Sequence, residues 1–128
     1  LRAQRELGTL PEAPEGWRPE RGFPTHPGWL AAVVAGHGRI AEGVDVGCPA
    51  LVLLSARSAS PAVWSEAATS ADTVLVVDDI ARAATKIGAE VTIGRIDGAV
   101  HDVFLSAPAP RDRAFAVMDR FATAVLRD

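Results

Sequence analysis

VTIGRIDGAVHDVFLS, residues 91–106, holds a short β-branched run followed at once by a turn and a histidine. Val91, Ile93 and Ile96 have the composition of a buried strand, and Asp97 and Gly98 are the turn residues that end it. His101 then falls just past the carboxyl end of that strand, the edge at which open α/β sheets place their ligands and chemistry. A single histidine is more often a surface or packing residue than a reactive one. Its weight here comes from what precedes it.

Upstream, Pro49–Leu54 (PALVLL) is a nearly continuous apolar run, which suits a strand covered on both faces as in a parallel sheet. A serine- and alanine-rich loop from Ser55 to Asp72 follows and ends in a carboxylate. Loops that long inside a compact unit are usually functional or insertions. Thr73–Val77 (TVLVV) reads locally as a strand but feeds a helix at 78–87, with Asp78 and Asp79 in its first turn, Ile80, Ala83, Ala84 and Ile87 on one side and Gly88 at its end. If TVLVV is extended at all, it is a short piece leading into that helix. After residue 106, Pro108 and Pro110 punctuate the chain. A closing helix at 111–126 then carries Phe115, Met118, Phe121, Ala122 and Val125 at spacings of three and four, which assigns Met118 and the phenylalanines to the core.

The series strand, loop, helix, strand, loop, helix predicts an α/β unit: two parallel strands at 49–54 and 91–96 joined by a crossover. Loops leaving adjacent parallel strands emerge at one edge. Asp72 and His101 are therefore expected together, the arrangement in which a carboxylate holds Nδ1–H of an imidazole and the opposite nitrogen serves as base. Asp78, Asp79, Asp97 and Asp102 compete for the acid's role.

The remainder is organised more loosely. Residues 1–28 hold five of the nine prolines and motifs such as Leu10-Pro11, Ala13-Pro14, Arg18-Pro19 and Phe23-Pro24, so an extended arm is expected there and the domain proper at 29–128. Trp17, Phe23 and Trp29 are scarce aromatics that either pin this arm to a neighbouring surface or line a pocket from a lid. Between Trp29 and Ala41 the apolar residues recur at helical spacing, although Gly36 and Gly38 each weaken a helix by about 1 kcal/mol relative to alanine. His37 belongs to that helix as a packing or surface residue.

Composition narrows the classes of function. The chain has 128 residues, 48% hydrophobic and 23% charged, with 13 basic against 16 acidic residues interspersed, so no nucleic-acid or anionic-membrane surface is expected. No apolar run reaches the length of a membrane span, and neither stable membrane insertion nor a leader is expected, which points to the cytoplasm. The chain starts at Leu1 and not at methionine, which hints at a processed polypeptide. A lone Cys48 beside an apolar run is expected to be a small buried hydrophobe. The three histidines and scattered acids show no metal-ligand spacing, and no cofactor is expected.

Two deficits stand out. Two strands, with a doubtful third, are too few for a parallel sheet, so something outside this chain should extend it. A nucleophile is missing as well: no G-x-S-x-G occurs, and serines 55, 58, 60, 65, 70 and 106 all lack its flanking glycines.

Residues 49–126 resemble the carboxyl-terminal half of the α/β-hydrolase family, in particular its lysophospholipase or monoglyceride-lipase-like branch. The resembling pieces are PALVLLSARS, ADTVLVVDDIA, VTIGRI, DGAVHD and the closing helix; GFPTHPGWLAAVVAGHGRIAEGVDV, residues 22–46, is similar to the segment that leaves the family's cap. The resemblance implies that Asp72, two residues before Val74, is the triad acid and that His101, in the G-x-x-H-D turn of residues 98–102, is the triad base. It also implies a serine nucleophile and oxyanion-hole amides in an amino-terminal half not present here. The chain departs from the pattern after the first strand, where relatives carry a His-Gly or His-Ser and an acid, and this sequence has Ser55-Ala56-Arg57-Ser58. The implied activity is hydrolysis of a small ester or lipid through an acyl-enzyme, with this chain inert by itself. The competing expectations are a truncated, non-catalytic hydrolase-like module that assembles through its open sheet edge, and a fragment of another doubly wound enzyme, for which no glycine-rich phosphate loop speaks.

Overall fold

The computed structural model describes residues 2–14, 17, 22–60, 62 and 64–127. Its centre is a two-stranded parallel sheet of β1 (Ala50–Ser55) and β2 (Val91–Ile96), paired in register from Ala50 opposite Val91 to Ser55 opposite Ile96. The molecule is thus mixed α/β. Both strands lie within one residue of the expected positions, because a continuous β-branched or leucine run bounded by Pro49 and by Asp97-Gly98 has few other registers open to it.

Helix α1 (Arg2–Glu6) opens the chain, α2 (Pro27–Glu42) follows, α3 (Val77–Ala84) lies in the crossover between the strands, and α4 (Pro108–Val125) closes the unit. Side-chain alternation along β2 places α3 and α4 on opposite faces of the sheet. Arg95 pairs with Asp78 of α3 at 2.7 Å. Its neighbours Gly94 and Ile96 face the other way, where a Cβ on Gly94 would come within 3.3 Å of Val117 and where Ile96 packs with Ala99, Val103 and Ala114. That cluster and the alanine and valine contacts around α3 make up the core.

Several expectations are corrected. The expected helix at 78–87 ends at Ala84, and residues 85–87 close it as turns. The closing helix starts at Pro108, three residues before the expected 111: the first helical N–H groups have no intrahelical partner, so prolines at 108 and 110 cost no hydrogen bond there. Pro27 opens α2 for the same reason, two residues before Trp29. TVLVV is not a strand. Residues 73–75 are bends and Val74, Leu75 and Val76 are exposed, because the Asp72 carboxylate takes the N–H groups of Val74 and Leu75 that a sheet partner would need.

Cys48 is exposed, since it sits in the turn before β1 and not in the strand. Phe115 and Met118 are 43% and 36% exposed, so they are not core within this chain; α4 turns its Ala114 and Val117 side to the sheet. Trp17, Phe23 and Trp29 are also largely exposed among the described residues. The amino-terminal arm is anchored instead by α1, which packs on the 3₁₀ turn Glu66–Thr69, by the Arg2 guanidinium 4.1 Å over the Trp64 ring, and by Thr9, whose hydroxyl donates to the Leu105 carbonyl. The Arg18-Pro19 pair of the arm lies outside the described residues.

Candidate active site

The chain leaves β1 at Ser55, makes a long excursion and returns at Asp72, where Ser58 and Asp72 form an isolated parallel bridge. Asp72 N–H donates to the Arg57 carbonyl and Ala59 N–H to the Asp72 carbonyl, both at 2.8 Å. The long serine-rich loop is therefore pinched shut at its base, and the pinch carries the carboxylate on the extension of β1.

At the end of β2 the chain turns through Asp97 and Gly98, closed by Ala99 N–H on the Ile96 carbonyl. Gly98 has φ 75°, the left-handed region in which a Cβ costs about 1–2 kcal/mol. Ala99 and Val100 are buried and His101 re-emerges, with 44% of its side chain open to solvent.

The two loops meet. His101 Nδ1 lies 2.8 Å from Oδ2 of Asp72, whose side chain is 1% exposed, while Oδ1 of the same carboxylate accepts the Val74 and Leu75 N–H groups at 2.7 and 2.9 Å. An ionised carboxylate can only accept, so it selects the tautomer with hydrogen on Nδ1 and leaves the Nε2 lone pair free. Nε2 has no protein partner among the described residues. A buried charge is tolerable because three donors surround it.

The competing acids are accounted for elsewhere. Asp78 pairs with Arg95, Asp79 with Arg82 and Asp97 with Arg57, all on the surface, and Asp102 caps the 3₁₀ turn Val103–Leu105 through the Phe104 N–H. Residue type does not separate Asp72 from these four, but its place at the end of the loop leaving β1 does. The selection is made by which loop leaves a strand adjacent to that of His101.

Sequence reasoning set the serines aside because none is a nucleophile candidate, and three of them hold this site together. Ser55, 1% exposed, donates its hydroxyl to the Ala99 carbonyl at 2.8 Å and so ties the exit of β1 to the histidine turn. The Ser106 hydroxyl, fully buried, accepts the Val100 N–H at 3.0 Å, one residue before His101. Ser58 engages the bend that follows Asp72. Ser55 and Ser58 occupy the tetrapeptide that departs from the hydrolase pattern, and that departure was the available signal.

Beside His101 an open apolar groove of about 710 Å³ runs between Leu51 and Leu53 of β1 and Met118, Phe121 and Ala122 of α4, with Phe104 at its side. Both leucines lie on the α4 face of the sheet and are half-buried, with Leu53 packed on the core cluster and part of their surface left to the groove.

No protein-family model, curated protein or solved structure matches the chain. What the site can do must be read from its own geometry. Among the described residues no three histidine, cysteine, aspartate or glutamate side chains converge to hold a metal ion, and no helix is long and apolar enough to cross a membrane.

Proposed function

We propose that this chain is the carboxyl-terminal half of an α/β-hydrolase-type serine hydrolase, supplying the acid and the base of a Ser-His-Asp triad. The observation that carries the reading is the Asp72–His101 pair: a buried carboxylate held by two backbone N–H groups, bonded at 2.8 Å to Nδ1 of a half-exposed imidazole whose other nitrogen has no protein partner among the described residues. Purely structural histidine–carboxylate pairs have no need to leave Nε2 accessible. Here His101 stands at the carboxyl edge of a parallel sheet and lines an open apolar groove.

In the reaction, a serine Oγ from the amino-terminal half attacks the carbonyl carbon of an ester while Nε2 of His101 takes its proton. The same nitrogen returns that proton to the departing alcohol, leaving an acyl-enzyme. Water then repeats the sequence: Nε2 removes its proton, the acyl group leaves as the carboxylic acid, and the serine is reprotonated. Asp72 holds Nδ1–H throughout and stabilises the imidazolium formed in each half. The substrate class is a small ester or lipid. The oxyanion-hole donors, like the serine, come from outside residues 1–128, so the isolated chain is expected to be inert.

The test is ester hydrolysis and labelling by an active-site serine probe on the complete reading frame, beside His101→Ala and Asp72→Asn. Both variants should lose turnover, His101→Ala by three orders of magnitude or more. Undiminished turnover in either would reject the assignment, as would an upstream coding sequence with no G-x-S-x-G between a strand and a helix.

A second reading is favoured by the two unpaired sheet edges and the bare groove among the described residues: a non-catalytic module that pairs its open edge with another copy. Light scattering on the chain separates the two. An obligate dimer with no hydrolytic activity in the full frame supports the module.

A further inference from the structure

The acid loop is held by a hydroxyl that lies outside the catalytic pair. Ser58 donates through Oγ to the Leu75 carbonyl at 3.0 Å and accepts the Val77 N–H at 2.9 Å. Leu75 in turn donates its own N–H to Oδ1 of Asp72 at 2.9 Å. One residue therefore has its amide on the carboxylate and its carbonyl on Ser58, and the serine oxygen also caps the first residue of α3. The backbone bridge between Ser58 and Asp72 completes a closed frame around the carboxylate.

We propose that Ser58 is a positioning residue whose hydroxyl fixes the 73–77 bend and thereby the direction in which Asp72 presents Oδ2 to His101. Three features support this role over a merely structural one. Ser58 is exposed, so its hydroxyl contributes little to the core. The segment it holds consists of Val74, Leu75 and Val76, each more than half exposed, so packing does little to keep them in place. The hydroxyl donates and accepts at once, a double role that alanine cannot fill and threonine can. Without it, the Leu75 peptide is free to turn away. Oδ1 then loses one of its two donors, and the carboxylate gains freedom to rotate about its Cβ–Cγ bond.

The inference rests on the proposed triad for its catalytic consequence, but its geometric core is tested in this chain alone. The readout is the downfield proton resonance of His101 Nδ1–H, assigned by its disappearance in Asp72→Asn, together with its rate of exchange with water. Ser58→Ala should speed that exchange by roughly three- to tenfold, the range set by the loss of one ordinary hydrogen bond. Circular dichroism should remain that of the parent, and Ser58→Thr should restore the slow exchange. In the complete hydrolase, Ser58→Ala should lower kcat by a similar factor with KM unchanged. An exchange rate unmoved in Ser58→Ala, or unrescued in Ser58→Thr, overturns the role of Ser58 while leaving the triad intact. Slow exchange that follows the serine as described, in a full-length protein that hydrolyses no ester, upholds the positioning role and rejects the hydrolase.

Discussion

At Asp72 the side chain is 1% exposed, and its two oxygens face the Val74 and Leu75 N–H groups and His101 Nδ1. Asparagine in its place keeps the shape but turns one oxygen into an NH₂ donor. If that group faces His101 it binds the tautomer with the lone pair on Nδ1, and the proton then sits on the nitrogen that should accept one. In a Ser-His-Asp site this change costs about 10⁴-fold in kcat while leaving the fold in place. Gly98 acts on the same pair through the backbone. Its φ of 75° puts it where L side chains are strained, so Gly98→Ala should destabilise the chain by about 1–2 kcal/mol, measurable as a lowered urea midpoint. The same substitution should weaken the Nδ1–H resonance, since His101 lies three residues on. Neither effect follows from a clash, because the added methyl would meet only Arg113 and the buried Pro110, at ordinary van der Waals distances of 3.8 Å or more.

Among the elements, β2 does the most with the fewest residues. Arg95 points to α3, Gly94 and Ile96 point to α4, and the turn that follows delivers His101. Ile96, 3% exposed, is the largest hydrophobic side chain in the cluster with Ala99, Val103 and Ala114. Ile96→Ala leaves a cavity that alanine and valine neighbours cannot collapse to fill, and thermal or chemical denaturation should record a loss of about 2–5 kcal/mol. For a unit with so small a core, that is a large part of its stability. The surface pairs count for much less: Arg57–Asp97 and Arg82–Asp79 are well exposed on both sides and carry little by themselves. Helix α2 shows the limit of reading elements by pattern. Its apolar spacing correctly marks a helix, yet the helix buries no residue in this chain. Amphipathic periodicity tells that a face wants covering and is silent about what covers it.

For the whole molecule the governing feature is apolar surface left in water. Leu51, Leu53, Met118 and Phe121 flank one groove, and Trp29, Leu30 and Val34 of α2 are more than half exposed. A parallel pair with helices on both faces and both edges free has the pattern of the end of a larger sheet. On that proposal Met118→Lys separates folding of the unit from its assembly. Because Met118 is already 36% exposed, the isolated chain should change in stability by no more than about 0.5 kcal/mol. The complete protein should lose several-fold in soluble yield or activity, since a buried lysine beside Phe121 would be left unpaired. Equal, small effects in both would mean that the groove stays open to water.

From the sequence alone came the two strands, the crossover helix, the closing helix and the pairing of an acid with His101, because β-branched runs, helical spacing and turn residues are local signals that each few residues carry within themselves. The start of α4 at Pro108 was missed by reading proline as a stop when at a first turn it is no obstacle. The segment at 73–77 stayed ambiguous in the sequence because its valine-rich pattern is pulled off the strand conformation, into a bend at 73–75, by one carboxylate that competes for its N–H groups. Which serines brace the two loops, and whether Phe115 and Met118 are inside or outside, are settled by contacts across tens of residues. Those depend on where strands and helices are placed in space, and no local pattern encodes that placement.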